Sequence, residues 1–466
     1  MSDTPQAQTP PASSASATAA AVPPRFVTGS LLRHIAVMAG TGAIGLVAIF
    51  AVDLINLLYL SLLGDQDITA AVGFAGVVGF FHLSLYIGVM IGMVATLSRR
   101  IGARQHDEAR ALASSALAWV VIVSLALTVL NLVFLDPLLR LLGAQGRALE
   151  LAHGVLVIVL PSTVLLGVGM ACTAVLRSVG DARRSMLVTL LPALATTLLD
   201  PLFIFVFDLG LTGAALVLLI ARCVLAGVGL HGAWKVHHML HRPDPSRLLA
   251  DARTLGSVTG PAVLTNLATP VGAAYVTHSI AAFGASAVAG QATIERLTPV
   301  AFGVIYSLSG AVGPVLGQNL GAKQFERVRQ GLRASLGFMV LAVLAGWLAL
   351  ALLQGPLVRL FGLEGTAAAM VYAFCSWIAG SFLFMGALFV ANAAFNNLGK
   401  PLWSTGFNWA RATLGTIPFA WWGAQYGAVE VLWGQAAGAV VFGSLAMGAA
   451  FYLVARLGPK PAPGQN

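Results

Sequence analysis

Long apolar runs separated by short polar breaks fill the chain from Leu31 onward. Each run holds about 20 residues or more, which is the length that a helix needs to cross the hydrocarbon core of a bilayer. Twelve runs can be counted, and we predict that each forms one transmembrane helix. In order, the predicted spans are 33–63, 69–98, 109–134, 148–176, 184–207, 211–234, 254–283, 287–317, 330–354, 367–396, 401–425 and 428–454. The pattern predicts an all-α integral membrane protein.

Composition excludes a water-soluble globular protein. Hydrophobic residues make up 58% of the chain and charged residues 9%, and the mean hydropathy is +0.87. Neither proportion suits a surface in contact with water. The three cysteines lie singly within apolar runs, so we predict no disulfide framework, no metal site and no cofactor. The first 24 residues lack the basic region and apolar core of a signal peptide and are predicted to be a disordered tail.

Lysine and arginine are concentrated in alternate breaks between the spans. The chain has 26 of these residues, and most of them precede span 1, follow span 12 or lie after an even-numbered span. Arg99, Arg100 and Arg104 after span 2 are typical. Because cytoplasmic loops retain positive charge, we expect both termini in the cytoplasm. The excess of arginine over lysine, with abundant alanine and glycine, is typical of a GC-rich bacterial gene, so the expected location is the bacterial cytoplasmic (inner) membrane.

Two pairs of turns match at one constant spacing along the chain, 219 residues, which we call the repeat offset. Ile101-Gly102-Ala103-Arg104-Gln105 after span 2 corresponds to Leu320-Gly321-Ala322-Lys323-Gln324 after span 8, and Gly180 corresponds to Gly399. Six spans separate the copies, so the chain forms two pseudo-symmetric six-helix bundles that enter the membrane in the same direction. The predicted organisation is a disordered cytoplasmic tail (1–30), an N-lobe (31–234), a cytoplasmic linker (235–253), a C-lobe (254–455) and a cytoplasmic C-terminal tail (456–466).

Several turn sequences resemble one transporter family. They are Leu176-Arg177-Ser178-Val179-Gly180-Asp181, Leu199-Asp200-Pro201-Leu202-Phe203-Ile204, Gly317-Gln318-Asn319-Leu320-Gly321 and Asn396-Asn397-Leu398-Gly399-Lys400-Pro401. In combination they are similar to the multidrug and toxic compound extrusion (MATE) family, over roughly residues 30 to 455. The Glu295-Arg296 pair, together with a span 7 that lacks an acidic residue, resembles the DNA-damage-inducible branch of that family.

Two carboxylates within the predicted spans are the main candidates for ion coupling. A charged residue in the bilayer costs about 2.5–3.5 kcal/mol on insertion scales, so each such residue is expected to have a functional or structural role that offsets this cost. Asp53 in span 1 and Asp200 in span 5 are both expected in the outer half of the membrane, where one cavity can desolvate them. The alternative is a packing role, with the carboxyl group hydrogen-bonded to Ser, Thr or Asn.

The resemblance implies that Asp53 and Asp200 form the N-lobe cation site. Asn56, one turn beyond Asp53, is a neutral partner. Thr196 stands where the family commonly has Asn, which leaves sodium open as the coupling ion beside a proton. At the repeat offset the two carboxylates correspond to Gly272 and Phe419, so the site is not duplicated.

Other polar and aromatic residues within the spans are weaker candidates. Glu295 and Arg296 in span 8 are expected to form a buried ion pair with a structural role. Arg222 and Arg411 are expected to pair with carbonyl oxygens or to reach towards the cytoplasmic face. Aromatic residues such as Tyr275 and Tyr306 can line an apolar cleft for hydrophobic cations.

These features predict a secondary active efflux antiporter rather than an enzyme. It would export organic, cationic or amphiphilic compounds in exchange for protons or sodium, by alternating access of the two lobes. The expected partners are small organic molecules and the lipid bilayer, without nucleic acid, and the protein is expected to be a monomer. A flippase for lipid-linked oligosaccharides is the nearest alternative. A membrane-embedded enzyme is disfavoured because the common catalytic motifs are absent, and a channel is disfavoured because the carboxylates are not duplicated.

Overall fold

The structure of the protein is a computed structural model that describes residues 24–62 and 66–458. Within these ranges, twelve straight or broken helices correspond to the twelve predicted spans. The unbroken helices are α1 (Leu31–Leu62), α2 (Gln66–Gly102), α3 (His106–Val133), α4 (Gly146–Val179), α7 (Leu248–Ala281), α9 (Phe325–Leu360) and α12 (Ala428–Ala455). A short helix, Leu135–Leu141, joins α3 to α4. The tails outside the described ranges were predicted to be disordered or cytoplasmic, and these predictions lie beyond what the structure describes.

Five of the twelve helices are broken or change pitch. They are α5 (Ala182–Pro201, continued by the π turn Leu202–Val206), α6 (Gly210–Leu230, continued by His231–Val236), α8 (Ala285–Ala301 and Gly303–Gly321), α10 (Gly365–Ser376, Ile378–Ser381 and Phe382–Asn397) and α11 (Pro401–Ala412 and Ile417–Gly423). The two parts of α8 meet at an angle of 47°. Proline ends the regular part of α5 and occurs within α8, and a proline cannot donate the hydrogen bond that continues a helix.

Not all twelve helices are long and apolar enough to span a membrane by themselves. In the described part of the chain nine are, or ten when the two parts of α8 count as one. The other two are α7, which begins with charged residues, and α11, which is interrupted and carries Asn408 and Arg411. Both helices pack against other helices of the bundle, α7 against α2 and α11 against α7. The bundle therefore shields the polar groups that make these two segments less apolar.

The backbone conformation recurs at the repeat offset. Arg104 and Lys323 are both in the left-handed region, with φ of 59° and 57°, although residues other than glycine rarely adopt it. Paired glycines in that region follow the same offset: Gly180 and Gly399, Gly143 and Gly362, and Gly146 and Gly365. This recurrence confirms two pseudo-symmetric six-helix bundles, the N-lobe and the C-lobe.

The two lobes touch reciprocally at the ends of α2 and α8. A Cβ atom on Gly102 would clash with the backbone of Gln318, and one on Gly321 would clash with the backbone of Arg99. The repeat offset relates Arg99 to Gln318 and Gly102 to Gly321. The same contact is therefore made twice across a pseudo-two-fold axis, and only glycine permits the close approach.

The contacts between the lobes lie towards one side of the molecule. We call this side the basic face; it carries the start of α1 and the turns after α2, α4, α8 and α10. On α1, Gly42 packs against Ser307 and Val47 against Gly303. On α2, Gly88 packs against Val263. The lobes are thus in contact at the basic face and along the inner parts of α1 and α2.

Residues just before α1 complete the closure at the basic face. Arg25–Val27 form a 3₁₀ turn within the range that the sequence assigned to the tail, and Phe26 is buried. The Phe26 N–H donates to Gln318 Oε1 (2.9 Å), and Asn319 Nδ2 and Arg327 Nη2 both donate to the Phe26 carbonyl oxygen (3.1 Å each). Arg25 Nη1 donates to the Gly180 carbonyl oxygen of the N-lobe (3.0 Å). This turn bridges the two lobes.

The Gly180-Asp181 turn is also the point where the linker docks on the N-lobe. The Asp181 carboxylate caps the start of α5 by accepting from the Arg184 backbone N–H (3.0 Å) and lies 2.8 Å from His237 Nε2. Burial alone would raise the pKa of Asp181, but the hydrogen bonds from His237 and Arg184 outweigh burial and hold that pKa well below its usual range. An ion pair between Arg247 and Glu108 (2.7 Å) fixes the other end of the linker.

Candidate functional site

Helices α1 and α5 run side by side in the same direction. Both start at the basic face, where Arg25 and Gly180 are hydrogen-bonded, and Leu31 and Ala182 belong to one cluster of buried residues. Further along both helices, Gly45 of α1 packs against Thr189 of α5. The absence of a side chain at Gly45 brings the two helices close together. They form the wall of the N-lobe that carries the predicted coupling residues.

Asn56 and Asp200 lie at the same depth on these two helices. Each is eleven residues beyond the contact between Gly45 and Thr189, which is about three helical turns, or roughly 16 Å. Eleven residues return a side chain to almost the same face of a helix. Because Gly45 and Thr189 face each other, we infer that Asn56 and Asp200 lie on the facing sides of the two helices and contribute to one site.

This site contains oxygen atoms that accept hydrogen bonds but have no donor. Asp200 is 0% exposed, and among the described residues neither of its carboxylate oxygens has a hydrogen-bond partner. The amide oxygen of Asn56 is also buried and unpartnered. Thr196 is buried, but its hydroxyl group donates to the Pro192 carbonyl oxygen of its own helix (3.0 Å). An enclosed carboxylate without a partner is costly, so the site is suited to hold a proton or a small cation.

Asp53 occupies a different environment from Asp200. It lies one turn nearer the basic face than Asn56, turned by about 60° around the helix, and its side chain is exposed. That one cavity desolvates both carboxylates stays a prediction; of the two, only Asp200 is enclosed entirely by protein. The physical reason is the rotation along α1, which takes Asp53 out of the contact with α5. Asp53 is thus the more accessible of the two carboxylates, and Asp200 is the buried one.

The equivalent positions of the C-lobe hold no carboxylate. Gly272 is buried against Ala412, and Phe419 lies on the second part of α11. No group of three or more His, Cys, Asp or Glu residues that can hold a metal occurs in the described ranges. The acceptor site is a property of the N-lobe.

Tyr306 lies on α8, where this helix contacts the N-lobe. Gly303 and Gly310, one turn before and one turn after it on α8, contact Val47 and Arg177 of the N-lobe. Tyr306 lies between them along α8, turned by about 60° around the helix from Gly303. It is 38% exposed, and its ring centroid lies 5.7 Å from that of Phe389. Tyr275 on α7 is half-buried and packs on the C-lobe core.

The expected ion pair between Glu295 and Arg296 is wrong. Both side chains are exposed, and Glu295 Oε1 accepts a hydrogen bond from Gln291 Nε2 on the same helix (2.9 Å). Within the described residues no ion pair involves either group. Adjacent residues of a helix point about 100° apart, so neighbouring opposite charges do not meet unless a second helix brings a partner.

Two buried arginines differ in their surroundings. Arg222 Nη1 donates to the Val159 carbonyl oxygen (2.8 Å) and to Ser162 Oγ (2.7 Å), which confirms the expected pairing with a carbonyl group. Arg411 is 7% exposed, but its Nε has no partner. In the described part of the chain its guanidinium group forms no hydrogen bond or ion pair. Hydropathy and charge give the same prediction for both residues, and only the three-dimensional contacts distinguish them.

Comparison with known proteins places this arrangement in a family. The MatE family model matches residues 43–202 and 261–422, one copy in each lobe. The chain is 30% identical to a Shewanella oneidensis protein named "FAD transporter", over 84% of this chain and 87% of that protein. It is 26% identical to the "probable multidrug resistance protein YpnP" of Bacillus subtilis, over 81% and 85% of the two chains.

A solved structure shares the whole fold. An outward-facing multidrug resistance MATE family transporter of the MOP superfamily superimposes with a TM-score of 0.87 at 21% identity, over 93% of this chain and 98% of that one. The two copies of the family model begin at Ala43 and Pro261, a spacing close to the repeat offset of the turn sequences. The chain therefore belongs to the MatE family, the multidrug and toxic compound extrusion transporters that its turn sequences resemble.

Proposed function

We propose that the protein is a secondary active exporter of amphiphilic organic compounds, coupled to the entry of a cation that binds at Asp53 and Asp200. The observation that carries this proposal is the buried Asp200 carboxylate, whose two oxygens have no partner. A group of this kind is stable only when it is protonated or when it binds a cation. Binding and release of that ion can therefore be linked to movement of the lobes.

The orientation follows from the basic loops. The basic face faces the cytoplasm, because cytoplasmic loops retain lysine and arginine, and the protein lies in the bacterial inner membrane with both termini inside. The lobes are in contact at this face, so the conformation is open to the outside. The resemblance to a transporter described as outward-facing supports this interpretation.

In the proposed cycle, Asp53 admits an ion from the outside to Asn56 and Asp200. Neutralising Asp200 removes the cost of burying a bare charge, so the loaded site favours the state in which the cleft closes outside. Opening at the cytoplasmic face then requires the contacts of Phe26, Gln318 and Asn319 to separate. We propose that the ion is a proton, with sodium as the alternative.

Everted membrane vesicles can test the coupling. The lumen of such vesicles corresponds to the outside of the cell. Two fluorescent compounds of opposite charge, ethidium and flavin mononucleotide, are offered, and an acidic lumen should drive accumulation of at least one of them. Asp200→Asn and Asp53→Asn should abolish this accumulation, as should a proton ionophore. If a sodium gradient drives accumulation and a pH gradient does not, the coupling ion is sodium and not the proton. Undiminished accumulation in the Asp200→Asn variant would contradict the proposal.

A flavin dinucleotide is a second candidate for the substrate. The relative named "FAD transporter" matches most of both chains at 30% identity, the higher identity of the two relatives compared above. Such a substrate carries negative charge, in contrast to the hydrophobic cation predicted from the apolar cleft. Flavin fluorescence in the medium of cells that express the protein, compared with cells that express Asp200→Asn, measures this export directly.

A further inference from the structure

Arg411 is a buried cation that no protein group neutralises within the described residues. It lies in the first part of α11, with 7% of its surface exposed and its Nε fully enclosed. An unpaired guanidinium group is costly to bury away from water. The contacts of Arg222 show how the same fold satisfies a buried arginine when the role is structural, since that residue donates to a carbonyl oxygen and to a hydroxyl group.

Two aromatic residues, Tyr306 and Phe389, lie near Arg411. The Tyr306 hydroxyl group and the Arg411 guanidinium group are close enough to interact electrostatically. Tyr306 lies on α8 between Gly303 and Gly310, which contact the N-lobe. Its ring is tilted by 49° against Phe389, at a centroid distance of 5.7 Å. These two rings offer an apolar surface on which a planar group can stack.

Polar amides extend the same region. Asn408 lies one turn before Arg411 on α11, and its Nδ2 donates to Asn392 Oδ1 of α10 (2.9 Å). Asn392 lies one turn beyond Phe389, so it is on the same face of α10. Both asparagines are buried. The region thus combines a free cation, amide groups and two aromatic rings on three neighbouring helices of the C-lobe.

We propose that Arg411, Tyr306, Phe389 and Asn392 form a substrate subsite in the C-lobe for an aromatic compound that carries a phosphate or carboxylate group. Arg411 binds the anionic group, since guanidinium recognises such groups with paired hydrogen bonds. Tyr306 and Phe389 contact the ring. The inference rests on the proposed export function and assigns its substrate class, which is anionic and not cationic.

Equilibrium binding tests the subsite without any ion gradient. The purified full-length protein in nanodiscs of uncharged lipid is titrated with three naphthalene compounds that differ in charge: 1-naphthyl phosphate, 1-naphthol and 1-naphthylmethylamine. The wild type should bind the phosphate compound at least tenfold more tightly than the amine. Arg411→Gln should reduce affinity for the phosphate compound at least tenfold and leave naphthol binding unchanged, and Arg411→Lys should restore part of the loss.

Arg222→Gln is the matched control, because it also removes a buried arginine, but one that is hydrogen-bonded within the N-lobe. The Arg222→Gln variant should bind all three compounds with wild-type affinity. The subsite is refuted if the wild type prefers the amine, or if Arg411→Gln binds the phosphate compound normally. A loss of affinity for all three compounds alike would mark Arg411 as structural. The wild-type comparison remains decisive if Arg411→Gln does not fold. Since no gradient is used, these outcomes are independent of whether Asp200 couples transport.

Discussion

The N-lobe and the C-lobe share one backbone but carry opposite buried charges. Left-handed residues and glycine contacts recur at the repeat offset. Helices α5 and α11 are related by that offset, yet α5 carries the unpartnered carboxylate of Asp200 and α11 the unpartnered guanidinium of Arg411. Duplication thus preserves the turns that shape the molecule, while the chemistry of each lobe has diverged. We propose that the two lobes bind different ligands: the N-lobe binds the coupling cation, and the C-lobe binds an anionic substrate.

The largest expected effect is on transport by Asp200→Asn. The amide has the shape of the carboxyl group but takes up no proton and carries no negative charge to hold a cation, so gradient-driven transport should fall at least 100-fold. Folding should be unaffected, because the substitution removes a buried charge that has no partner. Initial rates in vesicles, with expression and thermal unfolding as controls, measure this. A variant that transports within threefold of the wild type would remove Asp200 from the coupling site.

Reciprocal glycine contacts should give equal effects in the two lobes. Gly102→Val and Gly321→Val each place a Cβ atom against the backbone of the other lobe, so each should separate the lobes at the basic face and slow transport by tenfold or more. Spin-label distances across that face should increase in both variants. Gly73→Val is the control, because nothing lies within 4 Å of the added Cβ atom. Unequal effects of the two valine substitutions would contradict the prediction that the two contacts are equivalent.

The two buried arginines should differ in their contribution to stability. Arg222→Gln removes two hydrogen bonds from a charged group and should destabilise the protein by about 2–3 kcal/mol. Arg411→Gln removes a guanidinium group without partners and should cost less than about 1 kcal/mol. Denaturant or thermal unfolding in the same detergent compares them. If Arg411→Gln were the more destabilising variant, Arg411 would have a structural role.

Asp181 should make a smaller, pH-dependent contribution. Its pKa is lowered in the folded protein, so its stabilisation is complete above the ordinary aspartate value of about 4 and is lost as the pH falls below it. At pH 7, Asp181→Asn should lower stability by about 1–2 kcal/mol, through the hydrogen bonds to His237 and Arg184. The difference from the wild type should shrink between pH 4 and pH 3. A constant difference would assign the effect to packing.

Most of the fold could be predicted from the sequence, because bilayer-length apolar runs and the repeated turns are local signals. Each of the twelve predicted spans corresponds to a helix, even where polar residues such as those of α11 lower its hydropathy. The burial of Asp200 was also predictable, since few polar residues occur within apolar runs, whereas the roles of Asp200 and Asn56 in coupling stay predictions. Their common depth follows from the contact between Gly45 and Thr189.

The remainder depends on contacts between distant segments. Asp53 is exposed because its side chain is turned away from α5 around the axis of α1. Glu295 and Arg296 form no ion pair in the described part of the chain, because no second helix brings a partner to either group. Sequence patterns treat Arg222 and Arg411 alike, since both are single cations in apolar helices. The positions of Val159 and Ser162 show that Arg222 is satisfied, whereas the described part of the chain offers the Arg411 guanidinium group no such partner.

The most direct test of the division between lobes measures two properties of two variants in one preparation. Proteoliposomes containing wild type, Asp200→Asn or Arg411→Gln are assayed for binding of 1-naphthyl phosphate without a gradient and for its accumulation under a pH gradient. We predict that Asp200→Asn keeps wild-type affinity and loses accumulation, whereas Arg411→Gln loses affinity tenfold or more and regains accumulation when the compound is raised in proportion. Loss of both properties by the same factor in both variants would contradict separate ion and substrate sites.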